Sequence, residues 1–127
     1  MSQGKKFREA MASEKPLQIP GTINAYTALM AESVGYKAIY LSGGGVANAS
    51  YGLPDLGMTS LNDVVEDVRR ITAATNVPLL VDIDTGWGGA FNIARSIKDM
   101  TAAGAAAVHI EDQVEAKISG HLKGKQL

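Results

Sequence analysis

Asp82 and Asp84 stand two positions apart at the end of an apolar run, Val77-Pro78-Leu79-Leu80-Val81, and a glycine-rich stretch, TGWGG, follows them. Side chains alternate along a strand, so residues two apart share a face and the two carboxylates converge. Converging anions in a half-buried place repel one another. A hard divalent cation removes that conflict, and Mg2+ typically takes one or two carboxylates together with waters and substrate oxygens. Capping of the following turn, or pairing with lysines, removes it as well. His109 and Glu111 repeat the spacing in VHIEDQ, with Asp112 next to them. A glutamate beside an aspartate pair can complete a metal shell directly or through water. His109 taken alone reads more simply as an imidazole hydrogen-bonded within the fold.

Two further stretches carry polar chemistry. Ser42-Gly43-Gly44-Gly45 offers backbone N–H groups and a hydroxyl, which suit a carboxylate or a phosphate. It lacks the dinucleotide fingerprint, because no G-x-G-x-x-G opens a helix here. The polar stretch EAKISGHLKGKQL, residues 115–127, places Lys117, Ser119 and His121 where an anion could be met. Nothing in the spacing of Ser, His and Asp specifies a hydrolase triad.

The elements that must position these groups alternate in kind. Residues 3–13 read as a short helix with Phe7, Ala10 and Met11 on one face. Leu17 to Ile23 is extended, held from helix by Pro16 and Pro20. Residues 25–34 form a helix closed by Gly35, and Tyr36 to Leu41 a strand that runs into the glycine triplet. A polar connection over 46–59 precedes a helix that Ser60 caps, with Asp63 three residues on. Leu61, Val64, Val65, Val68 and Ile71 form its buried stripe, and Glu66, Asp67, Arg69 and Arg70 its wet side. A strand over 77–83, a helix over roughly 90–103 and a strand from Ala105 to Ile110 complete the pattern.

The order β-α-β-α-β-α-β, with short continuous apolar strands, implies a parallel α/β sheet with right-handed crossovers. SGGG, DIDTG and HIEDQ then all fall at C-terminal strand ends, the edge where such folds bind ligands. The chain has 127 residues, enough for one domain. Twelve basic residues nearly balance thirteen acids, which argues against a nucleic-acid partner read through bulk charge. Cysteine is absent, so thiol catalysis and thiolate ligands are excluded. No signal-peptide core and no membrane-length apolar run is present, so the expectation is a soluble cytoplasmic protein without a membrane partner.

In combination, GTINAYTALMAESVGYKAIYLSGGGVA, YGLPDLGMTSLNDVVEDVRRI, LLVDIDTGWGG, AGAAAVHIEDQ and KISGH resemble the isocitrate lyase / phosphoenolpyruvate mutase superfamily, in particular its 2-methylisocitrate-cleaving branch. The resemblance implies a (β/α)8 TIM barrel and an enolate or α-oxyanion carboxylate held on Mg2+. By the same resemblance Asp82, Asp84 and Glu111 match metal-binding acids. Ser42, Gly43 and Gly44 match the turn that holds a substrate carboxylate. Tyr40, Asp55, His109 and Gly120 join the substrate site, and Lys117, Ser119 and His121 lie in the catalytic loop. The implied reaction splits 2-methylisocitrate into pyruvate and succinate: a base takes the hydroxyl proton, the C–C bond breaks, and an acid protonates the succinate carbon.

Two departures qualify that expectation. The branch's loop has the form K-[KR]-C-G-H, with its cysteine as the acid. This chain reads Lys117-Ile118-Ser119-Gly120-His121, and a serine hydroxyl is far less acidic than a thiol. A whole barrel takes roughly 250 residues, so the chain corresponds to the first four strands, a half-barrel. Such a half is expected to associate, with another copy or with a complementary half, and to turn over weakly or not at all. The competing reading is a non-catalytic binding or oligomerising module, and the mutase and oxaloacetate-hydrolase branches rank third.

Overall fold

The computed structural model describes residues 1–114 and 117–127. Three parallel strands, β1 (Ile39–Leu41), β2 (Leu79–Asp82) and β3 (Ala107–His109), lie side by side in chain order. Helix α1 (Gln3–Ser13) packs near β3, and α2 (Ala25–Ser33) leads into β1. A single helical turn, α3 (Gly43–Gly45), continues into a π-helical turn over Val46–Ser50. Helices α4 (Leu61–Ala74) and α5 (Ala90–Ala102) then supply the crossovers to β2 and β3.

Strand alternation decides which residues reach the core. Ile39, Leu41, Leu79, Val81 and Ile83 point to the helices and are at most 1% exposed. They meet Ala28 and Ala31 of α2, Val64, Val65, Val68 and Ile71 of α4, and Met100 of α5. Each such aliphatic side chain contributes roughly 1.5–3 kcal/mol on burial. The opposite face carries Tyr40, Leu80, Ala107 and His109 and is only partly covered. The apolar strands predicted two covered faces, but in this chain one face alone is packed.

Helix α4 begins with a reciprocal cap: the Ser60 N–H donates to Asp63 Oδ2 at 2.8 Å and the Asp63 N–H to Ser60 Oγ at 3.5 Å. That backbone hydrogen bond holds the Asp63 carboxyl below its ordinary range. Gly35 and Gly104 end the helices that precede β1 and β3 with φ of 93° and 95°, conformations that favour glycine.

Four expectations change. The extended stretch 17–23 is not a strand but makes one bridge, Gly21 beside Tyr40, because Pro16 and Pro20 have no N–H to continue a ladder. The sheet therefore has three strands rather than four. Met11 is 52% exposed, outside the buried face of α1. Asp67 is buried at 5% rather than wet, since Ser50 Oγ donates to its Oδ2 at 2.6 Å and Arg70 to its Oδ1 at 3.3 Å. The predicted loop after β1 is helical over Gly43–Ser50, with Ser42 Oγ capping it by accepting from the Gly45 N–H at 3.1 Å.

Candidate active site at the strand ends

Asp82 closes β2 on the same face as Tyr40 and His109, and it is 4% exposed. Asp84 lies two residues on, equally buried, with φ of 50°. Its backbone N–H donates to Asp82 Oδ1 at 3.0 Å, so a local turn brings the carboxylates together as much as strand alternation does. Trp87 also has positive φ, 61°. Two non-glycine residues in the left-handed region cost of order 1–3 kcal/mol each, and strain of this kind gathers at functional sites.

The glycine triplet owes its composition to these acids. A Cβ on Gly43 would lie 2.7 Å from Asp84 Oδ1 and 3.1 Å from Asp82 Oδ2, and one on Gly44 would lie 3.0 Å from the Asp55 carboxyl. Without a side chain in the way, the Gly43 N–H donates to Asp82 Oδ2 at 3.0 Å. Asp82 is thus fixed at both oxygens, by Gly43 and by its own turn. The Ser42 hydroxyl is spent on the cap.

His109 extends the cluster from β3. Its ring stacks on Tyr40 with centroids 5.7 Å apart, its Nδ1 is 3.3 Å from the Tyr40 hydroxyl, and its Nε2 is 3.6 Å from Asp82 Oδ1. Burial, then the nearby Asp82 carboxylate, push the Tyr40 phenol well above its ordinary range, so it stays protonated. Ligand atoms of Asp82, His109 and Glu111 all lie within 4.8 Å of one another.

Lys117 enters the middle of the cluster. Its Nζ lies 3.3 Å from Asp55 Oδ1, 3.3 Å from Glu111 Oε1, 3.4 Å from Asp84 Oδ1 and 3.8 Å from Asp82 Oδ2, and its side chain is 5% exposed. Burial pulls the ammonium down, but Asp82, Asp84 and Asp55 more than offset it and hold Lys117 above its ordinary value. At Asp84 burial prevails instead. Its burial, only partly offset by Lys117, lifts its carboxyl to about 6, and its Oδ1 is buried without a hydrogen bond. Both sequence readings of the acid pair thus bear on this place: the geometry converges as for a cation, and a lysine stands there.

Of the remaining expected residues, Ser119 is half-buried and uses its backbone carbonyl to accept from the Leu122 N–H at 2.9 Å, while Gly120 and His121 are exposed. The structure does not bring the Ser119 or His121 side chain into contact with the acids. Gln113 was missed in the sequence. It is 9% exposed, its Nε2 donates to Glu111 Oε2 and to the Ile118 carbonyl at 3.2 Å, and its Oε1 accepts from the Ile118 N–H at 3.1 Å. An amide beside an acid carries no spacing signal that would have marked it. A cavity of 680 Å³ opens beside the cluster, lined by the polar Asp84, Glu111, Gln113 and Lys117 and by the apolar Trp87, Ile93 and Ile110.

A parallel α/β sheet with acids gathered at its C-terminal edge defines a barrel-type ligand site, and the chain belongs to the phosphoenolpyruvate phosphomutase family, which it matches over residues 7–126. Curated relatives of high identity are lyases. It is 68% identical over 124 residues to the 2-methylisocitrate lyase of Shewanella oneidensis, covering 98% of this chain and 42% of that one. With the Vibrio cholerae 2-methylisocitrate lyase it shares 67% identity over 127 residues, 100% of this chain and 41% of that one. The chain therefore spans about two fifths of the length of these relatives. Among solved structures, oxaloacetate acetylhydrolase with 3,3-difluorooxalacetate superposes with a TM-score of 0.91 at 32% identity, covering 99% of this chain and 43% of that one. A phosphonopyruvate hydrolase in complex with oxalate and Mg2+ gives a TM-score of 0.79 at 32% identity, with coverage of 93% and 41%. Among the described residues no helix is long and apolar enough to cross a membrane.

Proposed function

We propose that this chain forms the acid-bearing half of a Mg2+-dependent carbon–carbon lyase barrel that cleaves 2-methylisocitrate into pyruvate and succinate. The observation that carries the reading is the convergence of Asp82, Asp84 and Glu111 from successive strand ends on one point, where the Lys117 ammonium stands, with ligand atoms of Asp82, His109 and Glu111 within 4.8 Å of one another. The high identity to 2-methylisocitrate lyases and the Mg2+ and oxalate in a fold neighbour support it. The donor set suits a hard cation, because Mg2+ prefers oxygen ligands and Asp84 Oδ1 is buried without a hydrogen bond, facing only the Lys117 ammonium. Asp82, Asp84 and Glu111 would hold the ion, with His109 beside Asp82. When bound, Mg2+ supplies a positive centre that draws developing charge toward the 2-oxoacid product.

The chain's own residues do the rest. Gly43 and Gly44, which the resemblance assigns to the substrate carboxylate, leave room beside the backbone that Asp82, Asp84 and Asp55 share. Tyr40, kept protonated, can donate a hydrogen bond from the open sheet face. Ser119 stands where the branch has its acid, and its hydroxyl transfers a proton poorly, so turnover is expected to fall by a factor of about 10²–10⁴. The half-covered face bearing Tyr40, Leu80, Ala107 and His109 favours completion by further barrel strands, whether from a second copy or a complementary half. The setting we propose is the cytoplasm, with a small carboxylic acid as ligand.

Calorimetric titration with Mg2+ and oxalate tests the reading. Binding that requires both ligands, and that is lost in Asp82→Ala and Asp84→Ala, is the expected result. A folded sample that binds neither would overturn the metal assignment and leave a packing module.

A further inference from the structure

The segment from Asp84 to Gly88 is held in a conformation that its own residues resist. Asp84, Gly86, Trp87 and Gly88 all have positive φ, at 50°, 89°, 61° and 139°. Asp84 and Trp87 carry side chains that disfavour this region. The indole Nε1 of Trp87 is, besides, buried without a hydrogen-bond partner. Such an arrangement persists only where the surroundings over-determine it. The contacts that hold the segment therefore also set the place of the Asp84 carboxylate.

Those contacts come from two sides. Toward the sheet, the Asp84 carbonyl accepts from the Glu111 N–H at 2.8 Å, and the Gly86 N–H donates to the Ile83 carbonyl at 2.8 Å. Toward α5, the segment lies flush on the first turns of the helix. A Cβ on Gly86 would stand 2.5 Å from Ile93 Cγ1, and one on Gly88 would run into the Asn92 side chain. Ser96 adds a hydrogen bond on this side. Its Oγ lies 2.9 Å from the Gly86 carbonyl and 2.9 Å from the carbonyl of Asn92, one turn back in its own helix. The hydroxyl has one hydrogen, which the two carbonyls share. Ser96 is 1% exposed, and it is polar where the other buried residue of α5, Met100, is apolar. The Asn92 carbonyl alone would satisfy a buried hydroxyl in a helix. The reach to Gly86 is additional, and it ties α5 to the segment that carries Asp84.

We propose that Ser96 is a positioning residue of the acid cluster: through the Gly86 carbonyl it holds the left-handed segment on α5 and keeps the Asp84 carboxylate in its buried place. The expected effect on Mg2+ binding rests on the metal reading proposed above, and the effect on the segment itself does not. Without the bond the segment lifts from α5, the Trp87 N–H gains water, and Asp84 loses its fixed position.

Trp87 is the one tryptophan of the 127-residue chain, so its fluorescence reports on the segment directly. Ser96→Ala removes the hydroxyl and Ser96→Thr keeps it. Thr72→Val is the control, because Thr72 Oγ1 donates to the Ala103 carbonyl at 2.7 Å at the far end of α5. Urea unfolding first establishes that each variant is folded. Ser96→Cys, which fills the space of serine with a weak donor, takes the place of Ser96→Ala if that variant does not fold. In EDTA, Ser96→Ala should red-shift the Trp87 emission and raise its quenching by acrylamide, while Ser96→Thr and Thr72→Val match the parent. In calorimetry with oxalate present, Mg2+ should bind Ser96→Ala roughly tenfold more weakly than the parent, and the other two variants as the parent does. Parent-like fluorescence in Ser96→Ala overturns the inference. So does an equal change in Thr72→Val, which would mark a general loosening of α5, or in Ser96→Thr, which would mark shape rather than the hydroxyl. Altered fluorescence with unchanged Mg2+ affinity overturns it too, since the place of Asp84 would then not depend on Ser96. A parent chain that binds no Mg2+ removes the metal reading alone, and the fluorescence then decides for or against Ser96.

Discussion

Replacing Asp84 by Asn should stabilise the metal-free protein at neutral pH, and the gain should vanish in acid. The folded-state carboxyl titrates at about 6 against an ordinary 3.8, chiefly because burial disfavours its charged form. A difference of roughly 2 units corresponds to about 3 kcal/mol. The sign follows from proton binding. Between about pH 4 and pH 6 the folded state holds the proton and the unfolded state has lost it, so stability falls as pH rises through that window and levels off above it. The amide introduced by Asp84→Asn has no such titration. The value of about 6 already contains the pull of Lys117, so the gain at pH 7 is expected at about 3 kcal/mol or less, the shortfall measuring how well the amide fits the site. Urea unfolding of both proteins in EDTA, at half-unit steps from pH 4 to pH 8, reads the difference directly. The two stabilities should meet near pH 4 and separate progressively to pH 6. Parallel profiles, or an Asn variant less stable at pH 7, would refute the claim that burial dominates at Asp84.

Further perturbations probe the scaffold and the site separately. Gly43→Ala should lower stability by about 1–3 kcal/mol, since its Cβ would meet Asp84 Oδ1 at 2.7 Å; urea midpoints measure it. Ser60→Ala removes the α4 cap and should cost about 1 kcal/mol, seen as a lower thermal midpoint with Mg2+ affinity unchanged. Ser50→Ala leaves buried Asp67 short of a donor and should cost about 1–3 kcal/mol in the same assay. Mg2+ affinity should weaken as pH falls through about 6, where Asp84 takes up its proton; calorimetry at pH 5 and pH 7 decides this, and equal constants would remove Asp84 from the ligand set.

What the sequence disclosed depended on how local the physics was. The α4 cap is written in Ser60 and Asp63, and the helix ends in Gly35 and Gly104, because each acts within one turn of itself. The placement of Asp82 and His109 at neighbouring strand ends followed from strand periodicity and parallel order. Where partners come from afar, the sequence was silent. Asp67 has the composition of a wet helix face, and its burial depends on Ser50, which another element supplies. The prolines that were rightly taken to forbid helix at 17–23 also forbid the ladder, a second consequence of the same missing N–H. SGGG was read as an anion-binding turn. Its glycines also let the chain's own carboxylates come close, which no local rule distinguishes from room for a ligand.

The sheet's strand order also sets a schedule. Each strand pairs with the one made just before it, so the sheet can add strands in the order in which the chain emerges from the ribosome. Asp55, Asp82, Asp84 and Glu111 arrive in that order, and the ammonium that faces all four follows them. A nascent chain ending before Lys117 has gathered negative charge with no internal answer to it. In such a chain the carboxylates at this edge of the sheet repel one another without the ammonium that faces them in the fold.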